Sequence, residues 1–532
     1  MSTDKIAAKV DDLQDGQMKE ILIEGRSFLL VRINGEYHAV GAYCNHYGAS
    51  LADGVMCNHH VRCPWHHSVF DIGSGDLMEP PALNGLIRLE VRIEGEDVIV
   101  SLPDDMPDYR VMDMAKHNPQ ADSRKFVILG TGAAGNCAAE TLRQKGFEGE
   151  IIMVTQEGSL PYDRPPLSKG YLKSQKEPQE PILRSENFYK ENDIEIRRGS
   201  YVSKVDSLNH KIIFDGGNSL AYHKILLASG SIPKKLNVPG AEMENIFTLR
   251  SLSDCNRIRQ SLKKSTSAVV VGSSFIGMEA AAAIREYKIP VTVVSPDSIP
   301  FEKVFGKEIG LMFQRLHEEH ETNFQLGTEV ERFTGNGKVE GVVLKNGQHL
   351  KADIVLVGIG VQPSTDYLTD IRANPNGSVT VDEQFQTAND VYAAGDIAQF
   401  SDWRSNELIR IEHWRLAEQH GRVAALNMLG IRTSFKTTPF FWTSQYNLIV
   451  QYAGFARNWD DIIFYGNPSN REFIAFYIID ERVLAVSGCD RDRQICAAAE
   501  LMQAELMPST PELREKEVDL VEILRGIKVH AS

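Results

Sequence analysis

Along the chain the spacing of hydrophobic and polar positions changes character three times. Between residues 20 and 100 short apolar runs, such as Phe28 to Arg32 and Val98 to Leu102, are separated by Gly-Glu and Gly-Ser turns. That pattern predicts an all-β module. From Pro103 to Arg124 periodic apolar content lapses into Asp-Asp-Met-Pro-Asp and His-Asn-Pro-Gln-Ala-Asp-Ser, which reads as a linker. Parallel α/β structure follows: strand Phe126 to Leu129 runs into a glycine turn and a helix of small residues, and a second such unit starts at Ala268 to Val271. Glu150 to Val154 is a further strand. From about Thr437 the chain changes again, with a hairpin from Phe473 to Ile479 and Val483 to Val486, then a helix over Ala497 to Ala504. This end piece reads as α+β.

A length of 532 residues accommodates three or four domains with separate cores. The net charge of -15 argues against a nucleic-acid binder, which would carry a basic patch. Seven cysteines form no disulfide framework, so a reducing compartment is expected. Residues 1 to 20 lack the apolar stretch of a signal peptide and are acidic for a transit peptide. No apolar run approaches the roughly 18 residues of a membrane span, and the cytoplasm is the expected location.

Candidate chemistry begins with Cys44, His46, Cys63 and His66, a Cys-x-His box and a Cys-x-x-His box separated by sixteen residues. Two thiolates and two imidazoles suit tetrahedral zinc. They equally suit a Rieske [2Fe-2S] centre, in which each of two loops supplies one Cys and one His. The surroundings favour iron. Cys63-Pro64-Trp65-His66-His67-Ser68-Val69-Phe70-Asp71, followed by Gly73, Gly75 and Pro80-Pro81, resembles the Rieske ferredoxin type. His59, His60 and His67 fit neither box and are expected at the surface or in loops. Cys57 has no counterpart beside the second box, which disfavours the disulfide-stapled respiratory type.

Two turns have the form that binds a dinucleotide. Gly130-Thr131-Gly132-Ala133-Ala134-Gly135 is a full G-x-G-x-x-G between strand and helix, where a pyrophosphate meets a helix N-terminus. Alone the turn fits other α/β proteins too, but Val391-Tyr392-Ala393-Ala394-Gly395-Asp396 resembles a second FAD motif, with Asp396 near the ribityl and pyrophosphate. The ribose acid is expected at Glu157, with Gln156 beside it. In the second turn, Gly272-Ser273-Ser274-Phe275-Ile276-Gly277-Met278-Glu279, Ser274 replaces the middle glycine. No Lys or Arg lies between Ile289 and Glu302, while Asp297 follows the next strand, so NADH is expected in preference to NADPH.

Taken together, these motifs resemble the oxygenase-coupled ferredoxin reductases and apoptosis-inducing-factor-type flavoproteins. Pro161-Tyr162-Asp163-Arg164-Pro165-Pro166-Leu167-Ser168-Lys169 is the most specific match. Ala228-Ser229-Gly230, Gly358-Ile359-Gly360-Val361-Gln362-Pro363, Glu412-His413-Trp414 and Pro439-Phe440-Phe441-Trp442 add to it. With the Rieske boxes in front, the whole chain resembles the Rieske-bearing, factor-3-like subgroup.

The resemblance implies a Rieske domain over 1–106, a linker over 107–123, an FAD-binding domain in two parts (124–250 and 379–436), an NAD-binding domain over 251–378 inserted between them, and an α+β interface domain over 437–532. It implies Lys169 beside the flavin N5 edge with Glu279 as its partner, Trp442 and Trp414 bordering flavin or nicotinamide, and Arg164 and Pro165 toward adenine or pyrophosphate. It also implies that Ala133, Ala134, Ala228, Gly230 and His413 line the FAD site. Phe275, Ile276, Gly277, Gly358 and Gly360 fall to the NAD site in the same way. Judged apart from that family, Trp442 reads as core and Lys169 as a solvated lysine. The helix after the first turn carries Cys137 alone and no Cys-x-x-Cys occurs, which disfavours thiol substrates.

The expected function is an NADH-dependent FAD oxidoreductase passing electrons to its fused [2Fe-2S] cluster and on to an unidentified one-electron acceptor, an oxygenase component or another redox protein. The linker is expected to act as a tether holding the cluster near the flavin at about millimolar effective concentration. The alternative is an NADH-responsive redox-sensing or apoptosis-type signalling flavoprotein with little turnover. Monomer and homodimer both stay open.

Overall fold

The strand at Arg26–Ile33 explains how an unbroken apolar run fits a two-faced sheet. Phe28 and Leu30 enter one core, while Leu29, Val31 and Ile33 enter a second on the opposite face, as the two-residue period of a strand dictates. In the computed structural model, which describes residues 2–527, this strand belongs to a six-stranded antiparallel sheet in the order Ser2–Lys9, Asp97–Pro103, Arg88–Glu94, Glu36–Gly41, Arg26–Ile33, Met18–Ile23. A four-stranded meander, Val55–Cys57, His60–Arg62, Val69–Asp71 and Leu77–Glu79, completes the N-terminal module.

The α/β region is two sheets, one inserted in the other, both parallel except for the antiparallel edge strand Gln386–Ala388 of the first. Lys125–Leu129 lies between Glu150–Val154 and Lys224–Leu227, and Lys224–Leu227 pairs in turn with Val391–Ala393. The chain between those last two strands builds a sheet of Ile246–Thr248, Ile354–Val357, Ala268–Val271, Val291–Ser295 and Thr322–Leu326. That second sheet already begins ahead of residue 251. The two crossings run side by side, Ser231–Pro233 pairing antiparallel with Val361–Pro363. The strands are almost wholly apolar because both faces are covered: in the inserted sheet Val269, Val271 and Val355 pack against Val330, Phe333 and Val342 of a three-stranded antiparallel meander, and helices cover the other face.

The C-terminal region is a five-stranded antiparallel sheet that includes the expected hairpin, Glu472–Ile479 with Arg482–Cys489. Its helix runs Asp492–Gln503, five residues earlier than the sequence suggests, because Ile495 and Cys496 extend the buried face and Asp492 suits the positive end of the helix. Among the described residues no helix is long and apolar enough to cross a membrane.

The expected loose tether is corrected by the structure. Gly85 and Arg110 exchange backbone hydrogen bonds (2.9 and 3.1 Å), Ala115 N–H donates to Arg143 O (2.9 Å), and Asn118 N–H donates to Glu148 O (2.8 Å). The segment is thus pinned at both ends, and the N-terminal module is docked. Arg415 Nε donates to Pro80 O (3.0 Å), Arg62 Nε to Glu500 Oε1 (2.6 Å), and Arg184 Nη1 to Asn84 Oδ1 (2.8 Å). Val55 shares a core with Ile495, Ala498 and Leu501 of the C-terminal helix. These hydrogen-bonded partners are between 100 and 438 residues apart, so no local pattern announces them.

Candidate active site and cluster pocket

Two loops of the N-terminal module close with the same turn. Gly48 N–H donates to Cys44 O (2.9 Å) and His67 N–H to Cys63 O (3.2 Å), and Gly48 and His67 both adopt positive φ, 81° and 61°. Each turn therefore presents one Cys and one His to the same point. The thiols of Cys44 and Cys63 lie in hydrogen-bonding contact. His46 Nδ1 stands 3.0 Å from His66 Nδ1.

This geometry passes the test for a [2Fe-2S] cluster. Two like ring nitrogens facing each other, beside a separate sulfur pair, suit one iron ligated by imidazoles and one by thiolates. The backbone N–H groups of His46 and Tyr47 and the Ser68 hydroxyl donate to the Cys44 sulfur, and those of Trp65 and His66 to that of Cys63. Such donors stabilise sulfur in its anionic form.

The neighbouring histidines divide. His59 is exposed and His60 half-buried, its Nε2 3.6 Å from Asp71. His67 lies in the second loop, as one half of the expectation had it, but not at the surface: it is fully buried, stacked on Phe440 with ring centroids 3.6 Å apart and its Nε2 3.3 Å from Cys496 Sγ. The C-terminal domain packs over it, and nothing in the local sequence signals that cover.

Beside the cluster loops lies a cavity of about 1320 Å³, walled by both glycine turns. Of the residues singled out in the sequence, Gly130, Gly132, Ala133, Ala134, Glu157, Arg164, Lys169, Ala228, Gly230, Ser274, Phe275, Ile276, Glu279, Gly358, Gly360, Asp396, His413, Trp414 and Trp442 all line it. Gly135, Gly272 and Gly277 do not. Their part is close packing, since a Cβ on Gly135 would meet Gly130 O at 1.9 Å and one on Gly277 would meet Gly272 O at 2.1 Å. Gly132 has nothing within 4 Å of its missing Cβ, which leaves the approach to the helix N-terminus open. Asp297 lies outside the cavity wall and accepts a hydrogen bond from Lys303 (2.6 Å), a cation one residue beyond the stretch read as free of them.

The polar groups converge in pairs. Lys169 Nζ donates to Glu279 Oε2 (2.7 Å), and Thr443 Oγ1 donates to Glu279 Oε1 (2.8 Å). Arg250 Nη2 donates to Asp396 Oδ2 (2.7 Å), and Tyr162 OH to Glu157 Oε2 (2.6 Å). His413 stacks on Phe441 at 4.2 Å, and burial pushes its imidazole down to about 4.

Trp442 lines the cavity and its ring lies 4.2 Å from that of His66. Cavity and cluster pocket thus share a wall. Sequence reasoning missed Asp163, which accepts from Tyr47 OH (2.6 Å) and stands 3.9 Å from His46 Nε2. Thr443 was missed too, although strand alternation beside Trp442 was the signal for it.

Comparison with known proteins bears on the same geometry. Residues 124–421 match the pyridine nucleotide-disulphide oxidoreductase model. The chain belongs to this family. Residues 4–92 of the oxidoreductase match the Rieske [2Fe-2S] domain, and 440–524 the reductase C-terminal domain. It is 39% identical to apoptosis-inducing factor 3 of Homo sapiens over 96% of this chain and 85% of that protein. With rhodocoxin reductase of Rhodococcus erythropolis it is 31% identical over 73% of this chain and 91% of that one. A solved putidaredoxin reductase, in covalent complex with putidaredoxin, superposes with a TM-score of 0.72 at 28% identity over 76% of this chain and 99% of that one.

The protein is therefore a ferredoxin-reductase-like, NAD-dependent flavoprotein oxidoreductase with a Rieske domain in front. Membership implies FAD, NAD(H) and a [2Fe-2S] cluster. Outside the cluster loops burial disfavours the reactive thiolate form. Burial pushes Cys57, Cys137, Cys255 and Cys489 up to about 12 and Cys496 higher still.

Proposed function

We propose that the protein takes electrons from NADH through FAD into its own Rieske cluster, and from there to an external one-electron acceptor. FAD supplies the exchange between a hydride and single electrons, and the cluster a one-electron acceptor with a raised potential. The observation that carries the reading is Trp442, which belongs at once to the cavity wall and to the surroundings of His66.

The residues have definable tasks. Glu279 holds the Lys169 ammonium in the cavity, where a fixed cation favours negative charge arriving beside it. Gly130, Gly132 and the helix at Ala133–Gln144 are assigned to the FAD pyrophosphate, with Asp396 at the ribityl chain and Glu157 at the ribose. Ser274 and the helix at Phe275–Arg285 are assigned to NAD. Phe441 and His413 exclude water. Cys44, His46, Cys63 and His66 are the ligands of the cluster.

NADH is preferred because Asp297 would oppose a 2′-phosphate, although Lys303 partly neutralises it. One similar structure is a reductase joined covalently to putidaredoxin; here the iron-sulfur acceptor is part of the chain. Seven free thiols fit a reducing compartment, and the cytoplasm is the location assigned. No structural observation favours the signalling alternative. Anaerobic titration with NADH, followed by low-temperature EPR, tests the reading. A reduced cluster whose average g lies below that of all-cysteine clusters is expected, and reduced flavin beside a fully oxidised cluster would overturn it.

A further inference from the structure

The Lys169–Glu279 pair is the end of a longer buried chain. Thr443, Gln445 and His317 form that chain, and none of them lines the cavity. All three are essentially inaccessible, at 0, 1 and 0% exposure. Two come from alternate positions on the strand Phe440–Gln445, and the third from the helix Lys307–Glu319 of the inserted domain.

The direction of every hydrogen bond follows from one end. Glu279 receives Lys169 Nζ and the Ser168 hydroxyl on Oε2 and the Thr443 hydroxyl on Oε1. Three donors and no acceptor around a carboxyl define a carboxylate. The single Thr443 proton is thereby committed, so Thr443 Oγ1 must accept, and it does so from Gln445 Nε2 (3.1 Å). That orientation of the amide turns Gln445 Oε1 toward His317 Nε2 at 2.7 Å. The imidazole must carry its proton on Nε2. Its Nδ1 has no partner, as suits a bare acceptor nitrogen better than an N–H, and burial pushes the ring down to about 4, so it is neutral near pH 7.

We propose that His317 is a positioning residue for flavin reduction: through Gln445 and Thr443 it fixes the Glu279 carboxylate, and through that carboxylate the Lys169 ammonium. This rests on the reading that the cavity holds FAD. The donors all point toward Glu279, so their dipoles reinforce one another in a dry interior. Without the last donor, Gln445 loses its only fixed orientation. Thr443 then regains the freedom to turn its hydroxyl away, and Glu279 is held from one side alone.

The test uses the full chain loaded with FAD and cluster. His317→Leu keeps a similar volume and removes the donor; His317→Gln keeps an N–H near the place of Nε2. Loss of one positioning hydrogen bond predicts about a tenfold lower rate constant for flavin bleaching by NADH, with KM little changed. The flavin midpoint potential should fall by about 30 mV, a tenfold change for a two-electron couple. His317→Gln should recover most of both.

Thr443→Val should reproduce the loss, and adding His317→Leu to it should cost nothing more, because the two act in one chain. Wild-type rate and potential in a folded, FAD-loaded His317→Leu protein would overturn the proposal, as would losses that multiply in the double variant. If the unmutated protein binds no flavin, the flavin reading falls and takes this one with it. If it binds flavin that NADH bleaches while His317→Leu is unaffected, this proposal falls alone.

Discussion

Replacing Glu79 by Gln removes the anionic centre of the contact between the Rieske module and the reductase. Glu79 Oε2 accepts from the Arg415 guanidinium and from Gln419 Nε2 (3.0 Å), with Arg62 Nη1 4.0 Å away. Burial alone would raise its pKa, but Arg415 and Arg62 outweigh burial and hold it below the usual carboxylate range. Arg415 is 1% exposed and cannot shed its proton, so Glu79→Gln strands a buried cation. Breaking such a pair costs about 3 kcal/mol, toward the low end for buried pairs because Glu79 is partly solvated. Undocking returns Arg415 to water, so the cost appears as roughly a 100-fold larger undocked population. Limited proteolysis across residues 104–124 reads that population directly. Cleavage should accelerate by about the same factor, and flavin-to-cluster transfer should become slower and multiphasic. The double variant Glu79→Gln, Arg415→Met should recover much of the docking, since no charge is left unpaired. Unchanged cleavage in Glu79→Gln would refute the reasoning.

Trp442→Leu should slow cluster reduction while leaving flavin bleaching near its normal rate, as two-wavelength rapid mixing would separate; equal slowing of both steps would count against a role on the shared wall. Asp297→Asn should raise kcat/KM for NADPH relative to NADH by about fivefold to tenfold, from about 1 kcal/mol of screened repulsion, measured by steady-state kinetics with each nucleotide. Stability should fall with acid below pH 6.5, opposed in part by Asp492, which burial raises to about 6 so that its protonation favours the folded state. His317 and His420 are buried and neutral, with pKa values pushed by burial to about 4 and about 3 from 6.5. Their folded-state values lie below the unfolded ones, so the stability is present above pH 6.5 and is lost as pH falls toward 4. Two such groups contribute a slope of about 2.7 kcal/mol per pH unit, reduced by up to about 1.4 where Asp492 takes up its proton. Urea unfolding at pH 7, 6 and 5.5 measures it, and a flat profile there contradicts the buried neutral state.

Much of the site is written in local sequence. The glycine turns are legible because Gly130 and Gly272 need positive φ, 113° and 114°, and Gly135 and Gly277 need close packing, requirements met within six residues of chain. The four cluster ligands are legible because each loop carries its own Cys and His in one turn. Phe28 to Val31 betray two cores by being apolar at every position. What escaped is long-range. Glu79 and Arg415 are 336 residues apart, Tyr47 and Asp163 116, and Thr443 and Glu279 164. A buried charge pair leaves no periodic mark at either end, so the docked module read as a tethered one. His67 escaped because its cover is long-range too: it resembles the nearby His59 and His60 until the C-terminal domain packs over it.

The passage of electrons within one chain is tested most directly by rapid anaerobic mixing with excess NADH over a range of protein concentrations, with flavin and cluster followed at separate wavelengths. The account predicts that flavin bleaches first and the cluster is reduced in a later phase whose rate constant does not change on dilution. A cluster that stays oxidised, or one reduced at a rate proportional to protein concentration, would contradict it.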